Sequence, residues 1–215
     1  MNIGVLGTGV VGQTIASKLV ELGYEVMMGS RDAANPKAIA WAKDEGRHAL
    51  YGTFMNAAAF GEMIFNCTLG AASLDALSHA GPENLKGKIL VDTSNPLSYA
   101  GDIVTLTICN TDSLGEQIQR SFPDARVVKT LNTMNYNVMV NPGKLTERTD
   151  VFVSGNDVQA KVEVTRLLRD GFGWKSVIDL GDITTSRGVE MFIPFWLSMR
   201  RVIPSKRFNI KIVSA

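Results

Sequence analysis

Six residues, Gly7-Thr8-Gly9-Val10-Val11-Gly12, restrict the fold of this chain more than any other stretch. They follow Ile3-Gly4-Val5-Leu6-Gly7, an apolar run that reads as a buried strand. They open a helical pattern from Gly12 to Leu22, with Ile15, Ala16, Leu19 and Val20 on one face and Gly23 as its stop. A second strand, Tyr24 to Met28, begins about 20 residues on. A Gly-x-Gly-x-x-Gly string alone fits many turns; with a strand before it and a helix after it, it predicts a dinucleotide site. Gly7 would permit the tight turn, Gly9 would remove the side chain that blocks a pyrophosphate, and Gly12 would let helix and strand approach. Backbone N–H groups at the helix start would then face the phosphates.

The alternation continues along the chain. Asn35 can cap a helix whose first residue is Pro36. Strands are predicted at Ala49-Leu50-Tyr51, Glu62 to Thr68, Lys88 to Asp92 and Arg126 to Leu131. A last pair, Val151-Phe152-Val153 and Ser176 to Leu180, brackets a helix from Asp157 to Leu168. This rhythm predicts an α/β fold: a Rossmann-type, doubly wound, mostly parallel sheet extended by later strands, with a C-terminal helical segment. A length of 215 residues favours one domain with a small appendage. Residues 1–180 form the expected nucleotide-binding domain, and residues 181–215 an apolar helix and tail. From Thr184 to Arg201 the helical pattern is apolar round most of its circumference, through Val189, Met191, Phe192, Ile193, Phe195, Trp196, Leu197 and Met199. Such a helix needs a cover, either its own domain or a second copy in a homodimer. Pro194 is expected to kink it.

Composition narrows the partners. A net charge of +1 gives no field to draw in nucleic acid or anionic lipid. Cys67 and Cys109 sit in strand-like apolar runs and read as buried small hydrophobes in a reducing cytosol. With His48 and His79 in unrelated segments, no metal site is expected. No basic leader precedes the first strand, and the stretch Val189 to Met199 is interrupted by Glu190, Pro194 and Ser198. That falls short of the roughly 18–20 apolar residues that span a bilayer. The expectation is a cytoplasmic protein with a small-molecule partner.

The end of the second strand selects the dinucleotide. An Asp or Glu there would hold an NAD ribose; this chain has Gly29-Ser30-Arg31. Gly29 is expected to leave room, Ser30 to donate to a phosphate oxygen and Arg31 to supply a cationic fork for the 2′-phosphate of NADP(H). Lys37 could assist. Asp32 would repel that phosphate if it turned inward, and its place beside Arg31 predicts that it points away.

Together with the glycine turn and Gly29-Ser30-Arg31, four further segments carry a family resemblance. They are Cys67-Thr68-Leu69, Asp92 to Leu97, Lys129-Thr130-Leu131-Asn132-Thr133-Met134 and the late run Gly181 to Arg187. In this order they resemble the NADP oxidoreductases that depend on coenzyme F420, a deazaflavin, and also the cytosolic oxidoreductase domain of membrane ferric reductases. The resemblance implies that Thr8, Gly9, Val10 and Val11 wrap the pyrophosphate and that Ser30 and Arg31 meet the 2′-phosphate. It places Thr68 and Leu69 along the adenosine ribose and the bridge to the nicotinamide, and Asn95, Pro96 and Leu97 at the nicotinamide ribose. Asn132, Thr133 and Met134 would wall the nicotinamide ring where a second cofactor, F420 or a flavin, stacks. Archaeal members tend to carry His-Thr-Ile-Pro at that wall; this chain has Asn132-Thr133-Met134-Asn135.

The implied reaction is hydride transfer between NADP(H) and a flat acceptor, which asks little of side chains beyond holding two rings face to face. No catalytic acid is therefore expected, whereas a carbonyl-reducing dehydrogenase would need a placed Lys, His or Tyr. Two alternatives stay open: an NADPH-dependent flavin or ferric reductase, and a non-catalytic NADP(H)-binding redox sensor.

Overall fold

The computed structural model describes residues 1–101, 103–205 and 207–214. In chain order the first part holds β1 (Asn2–Leu6), α1 (Val10–Glu21), β2 (Glu25–Ser30), α2 (Pro36–Glu45), β3 (Ala49–Thr53), α3 (Phe54–Phe60) and β4 (Met63–Asn66). The middle holds α4 (Gly70–Ala80), α5 (Pro82–Leu85), β5 (Ile89–Asp92), β6 (Leu97–Ala100), β7 (Ile103–Leu106), α6 (Leu114–Ser121) and β8 (Arg126–Thr130). The last part holds α7 (Tyr136–Met139), β9 (Asp150–Ser154), α8 (Val158–Arg166), β10 (Ser176–Asp179), α9 (Ser186–Met191) and α10 (Ile193–Val202).

Eight strands form one sheet in the order β10-β9-β8-β5-β4-β1-β2-β3, as the α/β reading requires. From β3 to β8 all neighbours are parallel, and β9 then pairs antiparallel with β8. β1 lies between β2 and β4, so the crossovers leave it in opposite directions and a crevice opens at its carboxyl end. Strand alternation sends Ile3 and Val5 into a core shared with Ile15, Leu19 and Trp41, and Leu6 into a second core with Phe54, Ile64 and Leu77. The sheet is thus covered on both faces, by α1 and α2 on one side and α3 and α4 on the other.

Several expectations are corrected. Cys109 lies past the end of β7 and is exposed, because the apolar run loses its strand partner after Leu106. Cys67 is buried as expected, and burial pushes its thiol up to about 12. The late helical segment starts with a 3-10 turn, Ile183–Thr185, and runs on as α9 and α10, interrupted for one residue at Phe192, which keeps helical dihedrals. Pro194 has no N–H to offer the carbonyl of Glu190, and regular helix resumes at Ile193, the residue before it. In this segment Val189, Ile193 and Trp196 are buried within the chain, whereas Phe195 and Val202 stand 57% and 71% exposed. Among the described residues no helix is long and apolar enough to cross a membrane.

Candidate functional site

A cavity of about 890 Å³ opens along the carboxyl ends of β1, β2, β4, β5 and β8. It is lined by Gly7, Thr8, Gly9, Val10 and Val11 at the first turn, Ser30 and Arg31 past β2, and Thr68 and Leu69 past β4. Asn95 and Leu97 past β5 and Asn132 and Met134 past β8 complete the floor. The hairpin of β6 and β7 contributes Ser98 and Tyr99, and α10 closes the roof with Ile193, Trp196, Leu197 and Arg200. Neither the hairpin nor the roof role of α10 was foreseen from the sequence.

The glycine turn has the expected geometry. Gly7 has φ +117°, a conformation side chains disfavour. A Cβ on Gly12 would stand 2.1 Å from the carbonyl oxygen of Gly7, so this glycine serves the helix–strand contact behind the cavity. A Cβ on Gly9 would meet nothing within 4 Å and would project into open space. α1 starts at Gly9 with no side-chain cap, and α4 starts at Leu69 with none either. Both helix starts line the cavity, so their N–H groups are free for an anionic ligand there.

At the β2 end, Ser30 is buried and donates its hydroxyl to the carbonyl of Asp32 at 2.5 Å. The Asp32 carboxylate accepts the N–H of Ala34 at 2.9 Å, and Asp32 is not on the cavity wall. Arg31 is exposed on that wall without an ion pair among the described residues. Two expectations change here. The space beside Gly29 is already taken, since a Cβ there would stand 2.8 Å from the Cβ of Ala57 and 3.1 Å from the carbonyl of Thr53. Gly29 therefore admits α3 against β2 rather than leaving room for a phosphate. Lys37 lines a separate hollow between α1 and α2, away from Arg31's cavity. Pro96 and Thr133 are buried behind the wall.

The β5 and β8 ends are closed by side chains. Asn132 donates to Asn95 Oδ1 at 2.9 Å and to the Val189 carbonyl at 3.1 Å, and Asn95 donates back to the Asn132 carbonyl at 2.9 Å. The Asn132 amide is thus committed to joining two strand ends to α9. Beneath it lies a network that sequence reasoning missed. The fully buried Lys129 ammonium contacts Asp92 at 2.7 Å, Glu190 at 2.8 Å and the Ser94 carbonyl at 2.6 Å. Burial alone would lower the Lys129 pKa, but Asp92 and Glu190 outweigh it and hold the ammonium above its ordinary value. The second carboxylate is met by the start of α6, whose Leu114 and Gly115 N–H groups donate to Glu190 at 2.8 and 3.0 Å. Asn66 and Ser94 donate to the remaining Asp92 oxygen at 2.8 and 2.6 Å. The partners of Lys129 lie far away in sequence, so only an unexplained lysine in an apolar strand could have signalled it. Among the described residues the cavity wall carries no His, Lys, Asp or Glu, and its one tyrosine is Tyr99 of the hairpin, 63% exposed.

Comparison with known proteins gives four results. Residues 2–96 match the sequence family described as "NADP oxidoreductase coenzyme F420-dependent". A solved structure from Arthrobacter sp. FB24, classed with F420-dependent NADP reductases, is 50% identical, with 99% of each chain covered and a TM-score of 0.93. The metalloreductase STEAP3 of Rattus norvegicus is 29% identical over 91% of this chain, which spans only 38% of that relative's length. An Aspergillus terreus reductive aminase shares the fold alone, at 20% identity and a TM-score of 0.66 over 94% of this chain and 61% of its own.

Proposed function

This chain belongs to the family of coenzyme F420-dependent NADP oxidoreductases, and we propose that it exchanges a hydride between NADP(H) and a flat acceptor stacked on the nicotinamide, in the first instance a deazaflavin. One observation carries the reading. A single cavity joins two uncapped helix starts and, past β2, an arginine with no ion pair among the described residues. The residues fit the nucleotide, because Gly9 faces open space where any Cβ would intrude. Bound reduced nicotinamide supplies two electrons and a proton as hydride, and the acceptor ring takes its balancing proton from water.

The chain's own residues bind and orient. Thr8 to Val11 present backbone N–H groups to the pyrophosphate, with Gly7 and Gly12 shaping the turn, and Arg31 holds the 2′-phosphate beside Ser30, whose hydroxyl is already given to the Asp32 carbonyl. Thr68 and Leu69 border the adenosine ribose, and Asn95 and Leu97 the nicotinamide ribose, with Pro96 as backing. Met134 forms the ring wall, backed by Asn132 and Thr133. Residues 1–180 act as the nucleotide-binding domain and residues 181–215 as its roof. A flavin acceptor that passes electrons on to ferric iron is the second reading. It is favoured by the metalloreductase relatives and by Asn132-Thr133-Met134 at the acceptor wall.

The test is Arg31→Glu assayed with NADPH and NADH against deazaflavin, flavins and ferric chelates. A charge-assisted phosphate contact is worth about 1.5–3 kcal/mol. The preference for NADPH over NADH should therefore fall about ten- to hundredfold, with turnover on NADH retained. An unchanged preference refutes the assignment of the 2′-phosphate.

A further inference from the structure

Two charged side chains, Arg31 and Arg200, line the cavity among the described residues, and the hydride-transfer reading uses only the first. Arg200 and Arg201 both sit in the last turn of α10, where the helix dipole favours cations. That explains the two equally, yet only Arg200 reaches the cavity. Its guanidinium lies 5.8 Å from the centre of the Trp196 ring, one turn earlier on the same face. No carboxylate pairs with it among the described residues.

Trp196 supplies an independent observation. It is 8% exposed, stacks on Phe208 with ring centres 5.4 Å apart, and lines the cavity. Its indole N–H has no acceptor among the described residues. A buried donor without a partner is a standing penalty that a ligand oxygen can remove. The cation thus lies beside the ring that carries the unpartnered donor, and both residues line the same stretch of the roof. They also stand on a different element from Arg31: α10 packs against β7 of the hairpin past β5, whereas Arg31 follows β2.

We propose that Trp196 and Arg200 anchor an anionic group carried by the second substrate, so that the enzyme selects acidic acceptors over neutral ones with the same ring. This rests on the hydride-transfer reading, with Ile193 and Leu197 as the apolar wall for the acceptor ring. Riboflavin and its 5′-phosphate share a ring and differ by one phosphate, as do 5-deazariboflavin and its 5′-phosphate. Affinity is measured by fluorescence on the full chain loaded with NADP⁺, and turnover with NADPH in parallel.

The phosphorylated member of each pair should bind at least tenfold tighter. Arg200→Gln should remove that difference while the KM for NADPH stays fixed, and Trp196→Phe should remove part of it. Arg201→Gln, the matched neighbour, should change nothing. Equal affinity for phosphorylated and neutral rings, or a rise in the NADPH KM in Arg200→Gln, overturns the proposal. If the phosphate preference and its dependence on Arg200 hold but no acceptor is reduced, the anion site stands and the hydride-transfer reading falls.

Discussion

At the β1 and β4 side of the cavity the wall is backbone: α1 and α4 begin there, and neither start is capped by a side chain. At the β5 and β8 side the wall is a lattice of committed side chains, in which Asn95, Asn132, Asp92, Lys129 and Glu190 satisfy one another. The contrast extends to four other helices, since Asn35, Thr53, Ser113 and Asp157 cap α2, α3, α6 and α8, whereas α5, α9 and α10 start without a side-chain cap as α1 and α4 do. A cap is worth about 1 kcal/mol. Stability is thus forgone at two helix starts that face the cavity, while beside them the roof is fixed to the sheet by buried charge.

Three substitutions probe that contrast, beginning with the largest effect. Lys129→Met leaves Asp92 and Glu190 buried with no cation between them. Breaking a buried pair from one side costs about 3–5 kcal/mol, so denaturant titration should show a loss of that size. A loss below about 1 kcal/mol would mean that the lattice is not what holds the roof. Gly12→Ala drives a Cβ into the carbonyl of Gly7, and overpacking of this kind costs about 1–3 kcal/mol, read as a lowered melting temperature. Gly9→Ser inverts the design by placing a capping hydroxyl at the start of α1. Its Cβ enters open space, so stability should rise by a few tenths of a kcal/mol. NADPH affinity, measured by titration calorimetry, should fall about tenfold as the hydroxyl and side chain take the anion's place. A cap that leaves NADPH binding intact would dissolve the distinction between the two sides.

The backbone side was legible in the sequence, because its signals are local. The strand–turn–helix order around Gly7 to Gly12 and the Asn35-Pro36 start each lie within a few residues, and Asn35 does accept the N–H groups of Lys37 and Ala38. The lattice side was not, because its meaning is non-local: Lys129 is an unremarkable strand residue until Asp92 and Glu190 are folded onto it. Gly29 misled for the same reason, its neighbour Ala57 arriving on a helix that no pattern had suggested. α4 gave no start signal because it has no cap, so the feature that fits it to a ligand also hid it. In the late apolar segment the proline was legible as a local disruption, because the lost N–H follows from the residue type alone.

The tail beyond α10 has one more consequence. Asn209 donates to the Asp150 carbonyl at 2.8 Å and to the Thr149 hydroxyl at 3.0 Å, and the Ile210 carbonyl accepts the Asp150 N–H at 3.0 Å. With Glu190 of α9 bound to Lys129, the chain on either side of α10 is fastened to the sheet, once before the helix and once after it. A roof fastened on both sides leaves the rim as the doorway, and there Leu69 and Tyr99 stand 75% and 63% exposed.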